Sequence, residues 1–143
     1  SLFRKKNFIF MGDSAGANLL LQVCQKAIEN KIKKPKALIC LSPWIITLIR
    51  NKYWKINEGK DYLNYFSIDL AIESYLGYKN LRERWDNCVL DFNYDKFPPI
   101  LIRAGSHELI LDEIFAFIDK VKKSRCKVKY EIIDKMVHSF DLF

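Results

Sequence analysis

The residues most able to do chemistry in this chain are Gly12-Asp13-Ser14-Ala15-Gly16, a G-x-S-x-G pentapeptide. An apolar run, Phe8-Ile9-Phe10-Met11, precedes it, and a helical pattern, Ala17-Asn18-Leu19-Leu20-Leu21-Gln22-Val23-Cys24, follows it. Strand, tight turn and helix in that order form the setting of a nucleophile elbow, in which a serine stands exposed on a sharp, strained turn. Gly12 and Gly16 are expected to remove Cβ atoms that would strike neighbouring backbone. The plainer reading is a glycine-rich turn that starts a helix, with Asp13 or Ser14 as N-cap. A serine hydroxyl is a weak nucleophile until a base takes its proton, and the base needs an acid to orient it. The chain has two histidines, His107 and His138. His138 lies in Met136-Val137-His138-Ser139-Phe140, and a carboxylate, Glu108, lies between serine and histidine in Ala104-Gly105-Ser106-His107-Glu108-Leu109. His107 reads as a loop residue beside the acid.

Such residues can cooperate only if the fold brings them together. Residues 8–11 read as a short buried strand, and 15–30 as a helix with an apolar stripe at Leu20, Val23, Cys24, Ala27 and Ile28. Residues 37–41 read as a second buried strand, stopped by Pro43. Residues 68–76 form a predicted helix, with Ser67 as N-cap and Gly77 just past its end. Residues 99–104 are a third strand. Residues 113–123 are a helix whose stripe is Ile114, Phe117, Ile118 and Val121. Val128, Tyr130 and Ile132 alternate with Lys127, Lys129 and Glu131, the pattern of a half-exposed strand near a sheet edge. Strands alternating with helices predict βαβ units on a parallel sheet. The fold class is therefore α/β, with about four parallel strands and flanking helices. Ser14 follows the first strand, Glu108 the third and His138 the fourth. In a parallel sheet those strand ends share one edge, where ligand sites form.

The order serine, acid, histidine is that of α/β-hydrolases. More specifically, the sequence resembles the C-terminal half of a hormone-sensitive-lipase-like esterase. Gly12 to Leu19 is similar to that family's elbow, and Leu41-Ser42-Pro43-Trp44 to the segment ending its next strand. Pro98 to Ser106 resembles the acid-bearing strand and turn, and His138 to Phe143 the histidine loop. Segment 45–95 matches least and reads as a cap or variable insertion within the partial domain 1–143. The resemblance implies Ser14 as nucleophile, His138 as general base and Glu108 as orienting acid. Asp112 is the second choice of acid; its plainer role is N-cap of the helix beginning at Glu113. The family also carries a His-Gly-Gly motif upstream of the elbow, whose N–H groups form most of the oxyanion hole. These 143 residues hold no match to it, which leaves the backbone N–H of Ala15 as the oxyanion donor that can be placed.

A chain of 143 residues, half of them apolar and 14% aromatic, suits one globular domain with a real core. No apolar run is long enough to cross a bilayer. The start lacks both the apolar core of a secretory signal and an initiator methionine, and reads as an internal or processed start. The net charge of +7 comes from 24 basic and 17 acidic residues. Its densest cluster, Lys31, Lys33, Lys34 and Lys36, reads as solvated surface in a helix-to-strand connection. The minor reading is a patch for nucleic acid or acidic lipid, but no nucleic-acid motif accompanies it. Cys24, Cys40, Cys88 and Cys126 show no C-x-x-C spacing, and Cys24 and Cys40 read as small buried hydrophobes. Unpaired thiols without a secretory signal point to a reducing, cytoplasmic setting.

The function expected from these residues is serine-hydrolase chemistry on small or medium apolar esters, with deacetylation also implied by the resemblance. No metal, cofactor, nucleic-acid partner or stable membrane insertion is expected. Two alternatives stand beside it. One is a catalytically incomplete fragment that self-associates or pairs with a missing N-terminal half. The other is a ligand-binding relative without turnover. The aromatic residues Tyr53, Trp54, Tyr62, Tyr65 and Phe66 read either as cover over an acyl pocket or as ordinary packing.

Overall fold

A computed structural model describes residues 7–45, 52–76 and 88–143. Four strands, β1 (Phe10–Asp13), β2 (Leu38–Leu41), β3 (Ile100–Gly105) and β4 (Val128–Ile133), form one sheet in the order β1-β2-β3-β4. Every pairing is parallel. The described α-helices are α1 (Ala15–Glu29), α2 (Lys52–Ile56), α3 (Tyr65–Leu76) and α4 (Leu111–Lys122), with α1 against β1 and β2 and α4 against β3 and β4. This is the parallel α/β sheet with flanking helices that the alternation of strand and helix predicts. The two strands inside the sheet are the most apolar: Leu38, Cys40, Ile100, Ile102 and Ala104 are all buried. The α4 stripe Ile114, Phe117, Ile118 and Val121 is fully inside the core.

The register decides what the fold can do. Asp13 pairs with Leu41, Leu41 with Arg103, and Gly105 with Ile133. Ser14, Ser42, Ser106 and Asp134 therefore leave the carboxyl ends of their strands along one edge of the sheet. Histidine-loop and acid-turn backbones are laced there: Ser106 N–H donates to Ile133 C=O (2.9 Å) and His107 N–H to Met136 C=O (3.0 Å).

Several local expectations are corrected. The first strand is half exposed rather than buried, with Ile9 58% and Met11 68% accessible, because among the described residues β1 has a sheet neighbour on one side only. On α1 the core face is Ala17, Leu20, Leu21 and Cys24. Val23 is exposed and joins Phe10, Leu19 and Ile32 in an open groove beside β1. The N-cap of α3 is Asn64, not Ser67. Asn64 Oδ1 accepts Ser67 N–H (2.9 Å), and Ser67 Oγ accepts Asn64 N–H (3.1 Å), a reciprocal cap that starts the helix earlier. Gly77 and the first six residues lie outside the described residues. Among those described, no helix is long and apolar enough to cross a membrane.

All four cysteines are buried and unpaired. Burial pushes the Cys24 thiol up to about 11 and that of Cys40 higher still, so both behave as the apolar fillers the sequence predicts.

An open, apolar strand edge is a template for further pairing. Residues 1–143 on their own are expected to self-associate, and Met11→Lys, which sets a charge on that edge, should reduce the association. Light scattering over a concentration series checks this; a monodisperse monomer at all concentrations would contradict it.

Candidate active site

The elbow is built on Gly12. A Cβ there would lie 2.6 Å from the carbonyl carbon and oxygen of Gly16 and 2.7 Å from a Leu20 methyl, so no other residue lets α1 turn back so tightly. Gly16 is different: a Cβ on it would meet nothing within 4 Å. The steric demand is on Gly12 alone, because the Gly16 carbonyl is what passes close by. Ser14 takes φ 51°, ψ −117°, a strained conformation for a residue with a side chain. Its N–H continues the sheet by donating to Leu41 C=O (2.9 Å). Its own carbonyl accepts Ala17 N–H (3.1 Å) and Trp44 N–H (3.1 Å). Asn18, buried in α1, donates Nδ2–H to Trp44 C=O (3.0 Å) and ties the loop after β2 to the elbow.

Ser14 occupies the N-cap position of α1, yet its hydroxyl makes no capping bond. The oxygen lies 2.8 Å from His138 Nε2. On the other side of the ring, His138 Nδ1 lies 3.0 Å from Glu108 Oε2. The carboxylate accepts at that position, so the ring proton belongs on Nδ1, leaving Nε2 to accept the Ser14 hydroxyl. The structure thus brings Ser14, His138 and Glu108 into one contact chain from three separate strand ends. Ala15 is the first residue of α1, so its N–H has no intrahelical acceptor, and the residue lines a cavity together with Ser14 and His138.

Glu108 has no solvent exposure. Its second oxygen, Oε1, accepts Ser42 Oγ–H (2.7 Å) and Gly105 N–H (2.6 Å). Ser42 also accepts Ser139 N–H (2.9 Å), so one hydroxyl grips both the acid and the residue after His138. Gly105 has a second task. A Cβ on it would stand 2.0 Å from the Met136 carbonyl oxygen, so the histidine loop can pass only because position 105 is glycine.

Asp112, the alternative acid, lies elsewhere. Its Oδ2 accepts Tyr53 N–H (2.9 Å) and Trp54 N–H (3.4 Å), which caps α2. It does not cap its own helix, because α4 begins one residue earlier, at Leu111. His107 contributes main-chain bonding to the histidine loop. No group of three or more His, Cys, Asp or Glu among the described residues is arranged to hold a metal ion.

A cavity of about 140 Å³ opens beside Ser14, Ala15 and His138. Trp44, Leu63, Ile68, Ala71 and Ile110 supply its apolar wall. The aromatic segment splits between the two readings the sequence allows. Trp54 is buried, stacks on Tyr65 (centroids 5.0 Å) and takes the Tyr65 hydroxyl bond on its carbonyl (2.8 Å), which is packing. Tyr53 lies 5.5 Å from Phe115. Tyr62 alone reaches the site, edge-on to His138 at 6.1 Å. From α3 the pocket is lined by Ser67, Ile68 and Ala71.

Comparison with known proteins covers nearly the whole chain. Residues 3–142 match the model of a family described as having the alpha/beta hydrolase fold. The chain belongs to that α/β-hydrolase family. An esterase of Acinetobacter venetianus is 26% identical over 147 aligned positions, covering 98% of this chain and 46% of that protein. A solved esterase of the bacterial hormone-sensitive lipase family is 27% identical with a TM-score of 0.83, covering 92% of this chain and 44% of that one. A hormone-sensitive-lipase homologue from a metagenome library, at 24% identity and TM-score 0.85, shows the same fold over 94% of this chain and 47% of its own. The chain therefore spans a little under half the length of the relatives it matches.

Four residues of this candidate site are not singled out by the sequence: Ser42, Asn57, Asp61 and Gly105. Asn57 and Asp61 bound a polar stretch, Asn57-Glu58-Gly59-Lys60-Asp61, whose composition gives no signal that these two side chains are buried and partnered. Gly105→Ala is expected to displace the histidine loop and cost about 3 kcal/mol or more, the upper range for overpacking because the colliding atoms are backbone. Urea unfolding followed by circular dichroism checks it; a loss under about 1 kcal/mol would show that the loop yields freely.

Proposed function

We propose that this chain carries the acyl-transfer machinery of a serine esterase. The observation that carries the reading is the Ser14 Oγ to His138 Nε2 contact, with Glu108 on the far ring nitrogen. Ser14 Oγ attacks an ester carbonyl while its proton passes to His138 Nε2. The Ala15 N–H donates to the oxyanion that forms. Collapse of the tetrahedral intermediate expels the alcohol, which takes the proton from His138. Water, deprotonated by the same nitrogen, then attacks the acyl-serine, releases the acid and restores Ser14. Glu108 holds the ring in the required tautomer and stabilises the imidazolium.

The cavity supports small or medium apolar acyl groups. Its volume is close to the ~150 Å³ of an apolar cavity that admits benzene. The esterases among its relatives favour the same bond class. The groove beside β1 favours a second statement: these 143 residues hold the machinery incomplete. Ala15 supplies one oxyanion donor, and each donor lost costs roughly two to three orders of magnitude in rate. A partner segment seated on the β1 edge would supply the rest.

Ser14→Ala is expected to abolish labelling by a fluorophosphonate probe. Labelling that survives in this variant would remove Ser14 from its role. Glu108→Gln should lower kcat by about two orders of magnitude or more, whereas Asp112→Asn should change it less than about tenfold. Hydrolysis of a short p-nitrophenyl ester measures both, and the reverse ranking would reassign the acid.

A further inference from the structure

The connection between α2 and α3 enters the site with a carboxylate that the esterase reading leaves unused. Asp61 is 8% exposed. Its Oδ2 accepts Leu109 N–H at 2.8 Å, and its Oδ1 accepts His138 N–H at 3.2 Å. These two donors flank the Glu108–His138 contact: one belongs to the residue after the acid, the other to the histidine itself. Asn57, four residues earlier in the same connection, donates Nδ2–H to Ser106 C=O (3.0 Å) and Glu108 C=O (2.8 Å). Segment 57–61 thus satisfies carbonyls and an N–H on the acid turn, and an N–H on the histidine loop.

We propose that Asp61 is a positioning residue for the hydrolase chemistry, clamping the main chains of the Glu108 turn and of His138 to each other through its two oxygens. The proposal rests on the reading of Ser14, His138 and Glu108 as the reacting set.

The chemistry of the side chain supports it. A carboxylate offers an acceptor in each direction. An amide of the same shape offers one acceptor and turns two N–H donors toward the remaining backbone N–H. Buried N–H groups left without an acceptor are costly, so such a clamp opens rather than tolerating the mismatch. The imidazole must face Ser14 and Glu108 at once, and small displacements of such a base carry large rate penalties. The groups facing His138 from its surroundings are Ser14 at the elbow, Glu108 after β3 and Tyr62 beside Asp61. Leu63, two residues on, lines the acyl cavity, so the same connection mounts both the base and part of the pocket wall.

The test compares Asp61→Asn and Asp61→Ser with the parent protein by two readouts. The first needs no turnover: the low-field proton resonance of His138 Nδ1–H, assigned with a His107→Gln control because the chain has two histidines. The second is the rate constant for phosphonylation of Ser14 at saturating probe, beside KM and kcat for a p-nitrophenyl ester. The expected result is a shifted or lost Nδ1–H resonance and at least a tenfold fall in the phosphonylation rate constant and kcat, with KM within about twofold. A purely structural Asp61 would lower the melting temperature and leave resonance and rate unchanged in whichever variant folds; that result overturns the proposal. If the parent protein is not phosphonylated, the esterase reading fails, and the resonance still decides the role of Asp61.

Discussion

Everything at this edge of the sheet depends on keeping one carboxylate in the dry interior. A buried ionisable group is tolerated only when each oxygen has donors, because the water it gave up would have supplied them. Glu108 recruits a hydroxyl from the end of β2, an N–H from the end of β3 and an imidazole from the loop after β4. These bonds come from three segments distant in sequence. Satisfying the acid therefore fixes how the strand ends stand relative to one another. The backbone strain at Ser14, Ser42 and Ser139, all at positive φ, is held in the same place. Each such residue costs of order 1–3 kcal/mol, which only a structure determined from several sides can hold.

Glycine does complementary work at two points of close approach. Gly12 lets the first turn of α1 fold back over the end of β1, and Gly105 lets the histidine loop cross the end of β3. One fixes where the serine hydroxyl stands and the other how near the imidazole can come. Neither needs unusual dihedral freedom. Each needs the absence of a side chain.

The sequence was readable where chemistry and periodicity coincide. Ser14 sits in a motif, and His138 and Glu108 follow apolar strands in an order that parallel topology brings to one edge. The α4 stripe is clear because four apolar residues keep helical spacing. Reading failed where a residue's meaning lies in its partner. Ser42, Asn57 and Asp61 are ordinary polar residues until the register sets them against a buried carboxylate or an N–H. Asp112 looked like a cap for its own helix because local sequence cannot show that α2 starts beside it. Val23 and the β1 side chains carry apolar character like any core residue, and what covers them is not written in their neighbours. The cap of α3 lies three residues before Ser67 because Asn64 and Ser67 are both good caps, and only the start of the helix at Tyr65 separates them.

Part of the pocket wall is mounted apart from Ser14, Glu108 and His138. Ser14, Glu108 and His138 hang from strand ends whose spacing the sheet dictates, while Leu63, Ile68 and Ala71 come from α3 and the turn before it. Apolar side chains of different volume can be exchanged on a helix face without moving a strand register. Selection can therefore reshape this part of the cavity while leaving the contacts among Ser14, Glu108 and His138 as they are. In this fold, the shape of the cavity can drift over generations faster than the geometry beside it.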